Sequence, residues 1–395
     1  MIKNLLFAIT LTVTINSFAG DTTNIQVHDH TDMTWNGNYD EWGVFPDGSK
    51  TYRKIYLHYT MGCASSGCSD WDYTTKIEVL HRTGQLDTSL NEIIESYELA
   101  RVITPYGNGL NNNWEFTHIF DITDFASILQ DSVEIRAHYG GWSSGFSATL
   151  DFEFIEGTPP RNVTSLQNIY SGGCSYTTSS AFEQSCLPPK MFWVDANSTQ
   201  AMVKMTTTGH GFDNNIYAAE FKPIDYYVKI DGNLTHTQFN WDPNCGENPI
   251  YPQGGTWILD RANWCPGTRA QTFDHEITNY ITSSDSVEIN VNFQSYSWSG
   301  TQTPSYIIDC QLFLYEGSNF TNDVEITDII KPSLKDEYSR FNPICGKPLI
   351  KIRNYGSDPL TSVVIEYGVE GGIVHIYTWN GYLAFMEEEE VELPL

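Results

Sequence analysis

One short segment of the chain brings together two cysteines, two carboxylates and an indole. Cys63 and Cys68 are five positions apart, and Asp70, Trp71 and Asp72 follow directly. In an oxidising compartment the cysteines can close a tight loop, which would add only about 2 kcal/mol through chain entropy. We therefore expect the loop to fix the backbone beside it, where Trp71 offers a flat apolar face for a sugar ring and a carboxylate can act as a general base. The competing interpretation is a stapled surface loop whose Trp lies in the core.

A His-x-His pair is a second candidate for chemistry. Alternate residues of a strand share one face, so the rings of His28 and His30 would lie close enough for a metal, with Asp29 and Asp32 nearby. Copper-dependent monooxygenases of the peptidylglycine type use two jelly rolls with His ligands, which makes a metal oxidase an alternative class. Because no second His-x-His motif is present in the sequence, we predict no metal site.

The N-terminus has the pattern of a secretory signal peptide. A short basic start precedes an apolar run from Leu5 to Ile15, and Ser17-Phe18-Ala19 is a small-x-small cleavage site. We predict removal of residues 1–19 and export of the remainder. No later apolar stretch is long enough to span a membrane. In an exported protein, the eight cysteines favour disulfides over a zinc site.

The charge balance excludes several classes of partner. The formal net charge is −28, whereas nucleic-acid binding requires basic residues to meet the phosphates. Anionic membrane surfaces are excluded as partners for the same reason. Aromatic residues make up 14% of the chain, which is a high proportion.

The elements that must position these residues are β-strands. Alternating runs such as 76–80 and 287–291 are separated by Gly, Pro and Asn turns, and no sustained helical period is present. The sequence around Asp131-Ser132-Val133-Glu134-Ile135 recurs 154 residues later from Asp285, followed each time by a Trp-bearing turn and a closing strand. This repeat predicts an all-β protein with two adjacent eight-stranded antiparallel jelly-roll sandwiches.

We predict the domains as residues 20–160 and 161–322, divided near Pro159-Pro160, because paired prolines break a sheet. Residues 323–395 are expected to form a small immunoglobulin-like β segment, and an incomplete segment is the alternative because few residues are available for its core. Nothing in this segment suggests catalysis.

Three stretches carry a family resemblance: residues 63–79, residues 101–106, and Asp260 to Gly267. In this order, over roughly residues 50–318, they resemble peptide:N-glycosidase F, the bacterial glycoamidases. The resemblance implies two adjacent jelly rolls and hydrolysis of the amide that joins an Asn side chain to the innermost N-acetylglucosamine of N-linked glycoproteins or glycopeptides. It implies that no metal or cofactor is required, and a bacterial protein that is secreted, periplasmic or held at the cell surface.

The resemblance also implies roles for individual residues. Asp72 takes the position of the essential acid that activates water, and Glu220 that of a second, assisting acid. Five residues take substrate-binding positions: Trp71, Trp142, Arg261, Trp264 and His210. Two family disulfides fall on Cys63–Cys68 and Cys245–Cys265.

The sequence departs from the family at several of these positions. Gly140 stands where the family has a third cleft glutamate, and Tyr73 replaces an Arg. Ala218 and Lys222 replace a cysteine pair. A Trp and a His of the family's Gly-rich turn fall on His210 and Phe212. His210 or Asp213 is a candidate to substitute for the missing acid.

Two main hypotheses follow, beside the metal oxidase or a purely structural exported protein. The first is an exported glycoamidase. The second is a glycan-binding or adhesion protein on the same scaffold, which the absence of a carboxylate at Gly140 and the appended third segment favour. The hydrolase hypothesis requires Asp72 and Glu220 to face one cleft between the sandwiches.

Overall fold

The computed structural model of the protein describes residues 20–297, 300–341 and 346–395. The predicted signal peptide, Trp298 and Cys345 lie outside the described residues. The described strands, in chain order, are β1 Thr22–Met33, β2 Gly37–Val44, β3 Tyr52–Cys63, β4 Thr74–Leu86, β5 Glu92–Ile103, β6 Glu115–Asp121, β7 Ser132–Tyr139, β8 Phe146–Glu156, β9 Arg161–Ser175, β10 Lys190–Val194, β11 Gln200–His210, β12 Asp225–Ile230, β13 Asn233–Phe239, β14 Thr272–Glu276, β15 Asp285–Phe293, β16 Ser305–Ser318, β17 Val324–Lys331, β18 Leu349–Asn354, β19 Leu360–Gly368, β20 Val374–Leu383 and β21 Glu388–Glu392. The helical elements among the described residues are one α-helix, α1 Ser179–Cys186, and four 3₁₀ turns: Thr123–Ile128, Cys245–Glu247, Thr278–Tyr280 and Asp336–Phe341.

The first eight strands form a sandwich of two four-stranded sheets. The strand orders are β1-β8-β3-β6 and β2-β7-β4-β5, and the pairings are antiparallel. Strand β7 shows why these residues form a two-layer structure: Val133, Ile135, Ala137 and Tyr139 are buried and the residues between them are not. This period of two places one face of each strand in the core.

The next eight strands repeat the same topology. Their orders, β14-β11-β16-β9 and β10-β15-β12-β13, are those of the first sandwich with every strand number raised by eight. The repeated sequence falls on equivalent strands, because Ser132 begins β7 and Asp285 begins β15. The prediction of an all-β protein with two antiparallel jelly rolls is confirmed. The chain leaves β8 at Glu156 and enters β9 at Arg161, so the Pro pair lies between the two sets of sheets.

The two sandwiches share an apolar boundary. Phe313 and Tyr315, from β16, pack within the core cluster of the first sandwich. The rings of Phe125 and Phe313 meet edge to face with centroids 5.2 Å apart, an arrangement that adds about 0.5–1.5 kcal/mol beyond its buried area. Polar contacts flank this boundary: Arg101, buried in β5, donates to the Thr208 hydroxyl at 2.9 Å. These contacts fix the relative position of the two sandwiches.

The C-terminal segment adds two small sheets, β17-β18-β21 and β19-β20, around a core that includes Ile352, Ile365 and Trp379. The sheet memberships support the division at residues 160 and 322, which we retain as a proposal. None of the described helices is long and apolar enough to cross a membrane.

Candidate active site

The loop between β3 and β4 carries Trp71 and Asp72. The Cys63–Cys68 disulfide closes its first part, and Gly67 adopts a φ of 96°, which glycine accommodates without strain. The other part is held from β5, because the Thr104 hydroxyl donates to the carbonyl of Trp71 at 2.9 Å and accepts the amide of Tyr73 at 2.7 Å. The disulfide and these bonds fix the backbone on both sides of Asp72.

The loop between β7 and β8 lies against this one and presents Trp142. The Ser143 hydroxyl is 2.6 Å from the Ser69 hydroxyl and 3.3 Å from that of Tyr73. Trp71 and Trp142 remain 60% and 62% exposed, so the interpretation of Trp71 as a core residue is wrong. Both indoles are available to a ligand.

Trp35 joins Trp142 at this surface. It belongs to the turn between β1 and β2, is 54% exposed, and meets Trp142 edge to face with centroids 5.9 Å apart. The Tyr39 hydroxyl accepts the backbone amides of Thr34 and Trp35 at 2.8 and 3.1 Å and donates to the Trp35 carbonyl at 3.0 Å. This turn therefore holds Trp35 in place beside Trp142.

Glu220 comes from the second sandwich, in the connection between β11 and β12. Its two carboxylate oxygens have different partners: Oε1 accepts from Nε of Arg261 at 2.9 Å, and Oε2 accepts the backbone amide of Gly211 at 3.0 Å. The side chain is 13% exposed. Glu220 is thus fixed close to the end of β11.

Arg261 connects the two carboxylates. Nη2 donates to the Tyr106 hydroxyl at 3.4 Å and to the Thr256 hydroxyl at 2.8 Å. The Tyr106 hydroxyl in turn lies close enough to the Asp72 carboxyl to lower its pKa. Glu220, Arg261, Tyr106 and Asp72 therefore form one series of interacting side chains that crosses the boundary between the sandwiches.

Burial controls the protonation of both acids. It raises the pKa of Asp72, against the opposing effects of the Tyr106 hydroxyl and the Arg261 charge. Burial also raises the pKa of Glu220; Arg261 opposes this rise and the nearby charge of Asp72 adds to it. The effect of Asp72 on Glu220 places the two carboxylates within electrostatic range of each other.

Arg261 and Trp264 are positioned differently from the prediction. Both were expected to bind substrate, but they are 0% and 1% exposed. The Arg261 guanidinium lies over the rings of Trp264 and Phe221, with Cζ 4.8 and 5.1 Å from their centroids, and Trp264 Nε1 donates to the Gly209 carbonyl at 2.7 Å. Both side chains therefore pack inside the protein beside Glu220 and are not accessible to a ligand.

The two candidates to substitute for the missing third acid are occupied elsewhere. The Asp213 carboxylate accepts the backbone amides of Asn215, Thr301 and Gln302 at 2.9, 2.6 and 3.0 Å. The expectation that Asp213 could replace the acid is therefore wrong.

His210 was predicted both to bind substrate and to be able to replace the acid. It stacks on Trp264 with centroids 5.2 Å apart, and its Nε2 lies 2.8 Å from the Thr208 hydroxyl. Burial lowers the pKa of His210 to about 3, so the ring is neutral near pH 7 and cannot supply a charged group. It lies beside the site as a packed ring.

Gly140 leaves space where the resemblance implies a carboxylate. Its amide donates to the Thr74 carbonyl at 2.9 Å. A Cβ added there would lie 3.2 Å from the same oxygen, and its other neighbours within 4 Å all belong to Thr74. The first sandwich therefore has no acid at position 140, and the space that a side chain would occupy there is open.

The proposed His pair does not share a face of β1. His28 is buried, with Nε2 3.2 Å from the Ile135 carbonyl, whereas the side chain of His30 is 51% exposed. The prediction failed because β1 is irregular here: its register with β8 shifts on both sides of His28, and His30 has a φ of 52°.

One further group of potential metal ligands exists among the described residues. It contains Asp242 with Cys245 and Cys265, and its two cysteines are bonded to each other. A disulfide provides no thiolate for a metal. Cys63–Cys68 and Cys245–Cys265 both form as predicted, and Cys174–Cys186 forms a third bridge.

Sequence reasoning missed Trp35, Tyr106, Gln253 and Thr256. Tyr106 and Thr256 complete the hydrogen bonds around Arg261, and the Gln253 side chain accepts the Tyr106 amide at 3.0 Å. Tyr106 lay within one of the stretches that carry the resemblance. The other three had no local signal.

The fold and this arrangement define a double jelly-roll protein with a carboxylate from each sandwich at their boundary. The family described as "Peptide-N-glycosidase F, C terminal" matches residues 177–312. The peptide-N(4)-(N-acetyl-beta-D-glucosaminyl)asparagine amidase F of Elizabethkingia miricola is 25% identical over 305 residues, which cover 74% of this chain and 83% of that protein.

Two solved structures share the fold. PNGase F, described as a glycosylasparaginase from Flavobacterium meningosepticum, has a TM-score of 0.63 at 23% identity, covering 75% of this chain and 96% of that one. PNGF-II has a TM-score of 0.59 at 16% identity, covering 75% of this chain and 65% of that one. The chain is similar to proteins of the peptide:N-glycosidase F family, and the predicted resemblance is confirmed.

Proposed function

We propose that this protein is an exported hydrolase that cleaves the amide between an Asn side chain and N-acetylglucosamine in N-linked glycoproteins. Relationship to the curated amidase supports an amidase-like hydrolase of this kind. One structural observation carries the proposal for this chain: Asp72 and Glu220, from different sandwiches, lie in one series of interacting side chains next to exposed indoles.

Asp72 is our candidate for the general base. Burial raises its pKa, which makes the carboxylate a stronger base. In the proposed reaction, the Asp72 carboxylate takes a proton from a water whose oxygen attacks the amide carbon. The carbon–nitrogen bond then breaks, the nitrogen takes up the proton and leaves as a glycosylamine, and the asparagine becomes an aspartate.

Glu220 and Arg261 have supporting roles in this proposal. Arg261 uses its hydrogen bonds within the protein, to Glu220, Leu259, Tyr106 and Thr256. It therefore acts by position: it limits the rise in the pKa values of both acids and orients Glu220 towards the water or a sugar hydroxyl. The indoles of Trp71 and Trp142 provide apolar faces for the sugar rings.

Mass spectrometry of a denatured N-glycoprotein tests the proposal. We expect the wild-type protein to release the glycan and raise the mass of the formerly glycosylated residue by about one unit, as amide becomes acid. Asp72→Asn should abolish this change. Asp70→Asn is the matched control, since Asp70 is an exposed carboxylate two residues away. A wild-type protein that converts no site would refute the proposal.

A glycan-binding protein is the second candidate, because Gly140 provides no carboxylate while Trp71 and Trp142 remain exposed. The same incubation separates the two functions. Glycan binding that depends on Trp142, without conversion of asparagine to aspartate, would establish binding in place of hydrolysis.

A further inference from the structure

The C-terminal segment contacts the first sandwich through complementary charges. Arg53, at the start of β3, lies 2.7 Å from a carboxylate oxygen of Asp323 and 2.7 Å from one of Glu325. Lys54 lies 3.2 Å from Glu325, and its Nζ is 4.9 Å from the centroid of the Tyr355 ring. Because these groups are largely shielded from water, loss of one partner would leave a buried charge uncompensated, which is costly.

The 3₁₀ turn Asp336–Phe341 extends these contacts across the boundary between the sandwiches. A carboxylate oxygen of Asp336 accepts the Thr117 amide of the first sandwich at 2.8 Å. Glu337 lies 3.3 Å from Arg269 of the second sandwich, and Arg269 itself donates to the Ile119 carbonyl of the first at 2.8 Å. The turn thus touches both sandwiches where they meet.

Arg340 reaches from this turn to the loop that contains Arg261. Nη1 of Arg340 donates to the carbonyls of Gly246 and Asn248 at 2.8 and 3.2 Å. Its guanidinium lies over the Tyr251 ring with Cζ 4.3 Å from the centroid. These three residues begin the segment closed by the Cys245–Cys265 disulfide, which we call the 245–265 loop.

The 245–265 loop depends on side-chain contacts for its shape. Within it, the structure assigns no strand and one short 3₁₀ turn, Cys245–Glu247. Gln253 of this loop accepts the Tyr106 amide, and Thr256 accepts from Arg261. A displacement of the loop would therefore be transmitted to both groups that join Glu220 to Asp72.

We propose that Arg340 is a positioning residue, and that the C-terminal segment braces the 245–265 loop for catalysis. The predicted loss of turnover rests on the proposed function, whereas the contact between Arg340 and the 245–265 loop is independent of it. Arg340 is exposed, and cation–π contacts at exposed sites are weak. We therefore expect its removal to reduce kcat by about three- to tenfold while KM changes less, without unfolding the protein.

Hydrogen exchange of the full-length protein is the direct test. We expect Arg340→Ala to speed amide exchange in peptides from residues 245–261 and to leave the β3 and β11 peptides unchanged. Arg340→Lys, which keeps the positive charge but replaces the planar guanidinium whose Nη1 donates to both carbonyls, should have an intermediate effect. Lys347→Ala is the control, because Lys347 pairs with Glu392 within the same segment.

The outcomes separate the brace from the proposed function. Unchanged exchange in Arg340→Ala overturns the brace, whatever the activity. Faster exchange with an unchanged kcat overturns the positioning role. An inactive wild-type protein overturns the proposed function, and the brace is then judged from exchange alone.

Discussion

Replacing Arg261 with methionine tests the electrostatics of the candidate site. Methionine fills a similar volume beneath Phe221 but removes the guanidinium that lies 2.9 Å from Glu220. An opposite charge at this distance lowers a carboxyl pKa by about 1–3 pH units. We therefore expect the pKa of Glu220, which burial already raises, to increase by that amount. The pKa of Asp72 should increase less, because Tyr106 stands between it and Arg261.

Two measurements follow from this expectation. In the pH dependence of kcat/KM, the acid limb should move to higher pH, since the carboxylates must lose their protons to act. In equilibrium unfolding, a carboxyl whose folded pKa lies above its unfolded pKa binds more protons when folded, so the free energy of unfolding falls as pH rises between the two values. The variant should therefore lose most stability above the raised pKa of Glu220 and least in acid.

The buried pair of Arg261 and Glu220 limits how much stability the Arg261→Met variant can lose. Removing one partner of such a pair costs about 3–5 kcal/mol when the other stays charged, and less when it takes up a proton. Arg261→Lys is the matched control: it keeps the charge, so its acid limb should stay near the wild-type value although the hydrogen bonds to Thr256 and Leu259 are lost. Arg82→Met, at an exposed arginine paired with Glu92 and Glu134, should change little. An acid limb at the same pH in Arg261→Met and wild type would refute the reasoning.

Three further substitutions give separate tests. Gly140→Glu needs a shift of a few tenths of an ångström at the Thr74 carbonyl, so the variant should fold. We expect its kcat/KM to rise about tenfold. A folded variant with the wild-type kcat/KM would show that the missing acid does not limit turnover. Trp35→Ala should raise KM for glycopeptides about tenfold through loss of an indole face, whereas Trp42→Ala, equally exposed at 53%, should not; equal KM values in both would contradict a role for Trp35. Asp72→Asn removes a carboxyl whose pKa is raised by burial, so its stability relative to wild type, followed by urea unfolding, should improve as pH rises above the ordinary range of aspartate; the opposite trend would show that the ionised group stabilises the fold.

The sequence predicted the sheets because their signal is local. In β7 the alternation from Val133 to Tyr139 marks the buried face residue by residue, and the repeat at Asp285 extended this pattern to the second jelly roll. Local irregularity defeated the same reasoning at His28 and His30, where a bulge rotates one ring into the core and the other into solvent.

The candidate site was predicted in part. Family positions identified Asp72, Glu220 and the residues beside them, and the structure brings these two acids into one series. Arg261 and Trp264 were expected to face a ligand but are buried. The exposure of a side chain depends on packing from distant segments, which the local sequence does not reveal. Gln253 and Thr256 could not be found from sequence, because their partner Tyr106 lies about 150 positions away in the chain.

Two of the loops that carry the candidate machinery are closed by a disulfide. Cys63–Cys68 closes the segment before Asp72, and Cys245–Cys265 closes the segment that contains Arg261, while the sandwiches are held by their apolar cores. Thiol reduction would therefore loosen these two loops and leave the sheets folded. In a reducing cytosol, the sheets would stay folded while the two loops at the candidate site would be less well ordered. Turnover would therefore depend on oxidation of the four thiols.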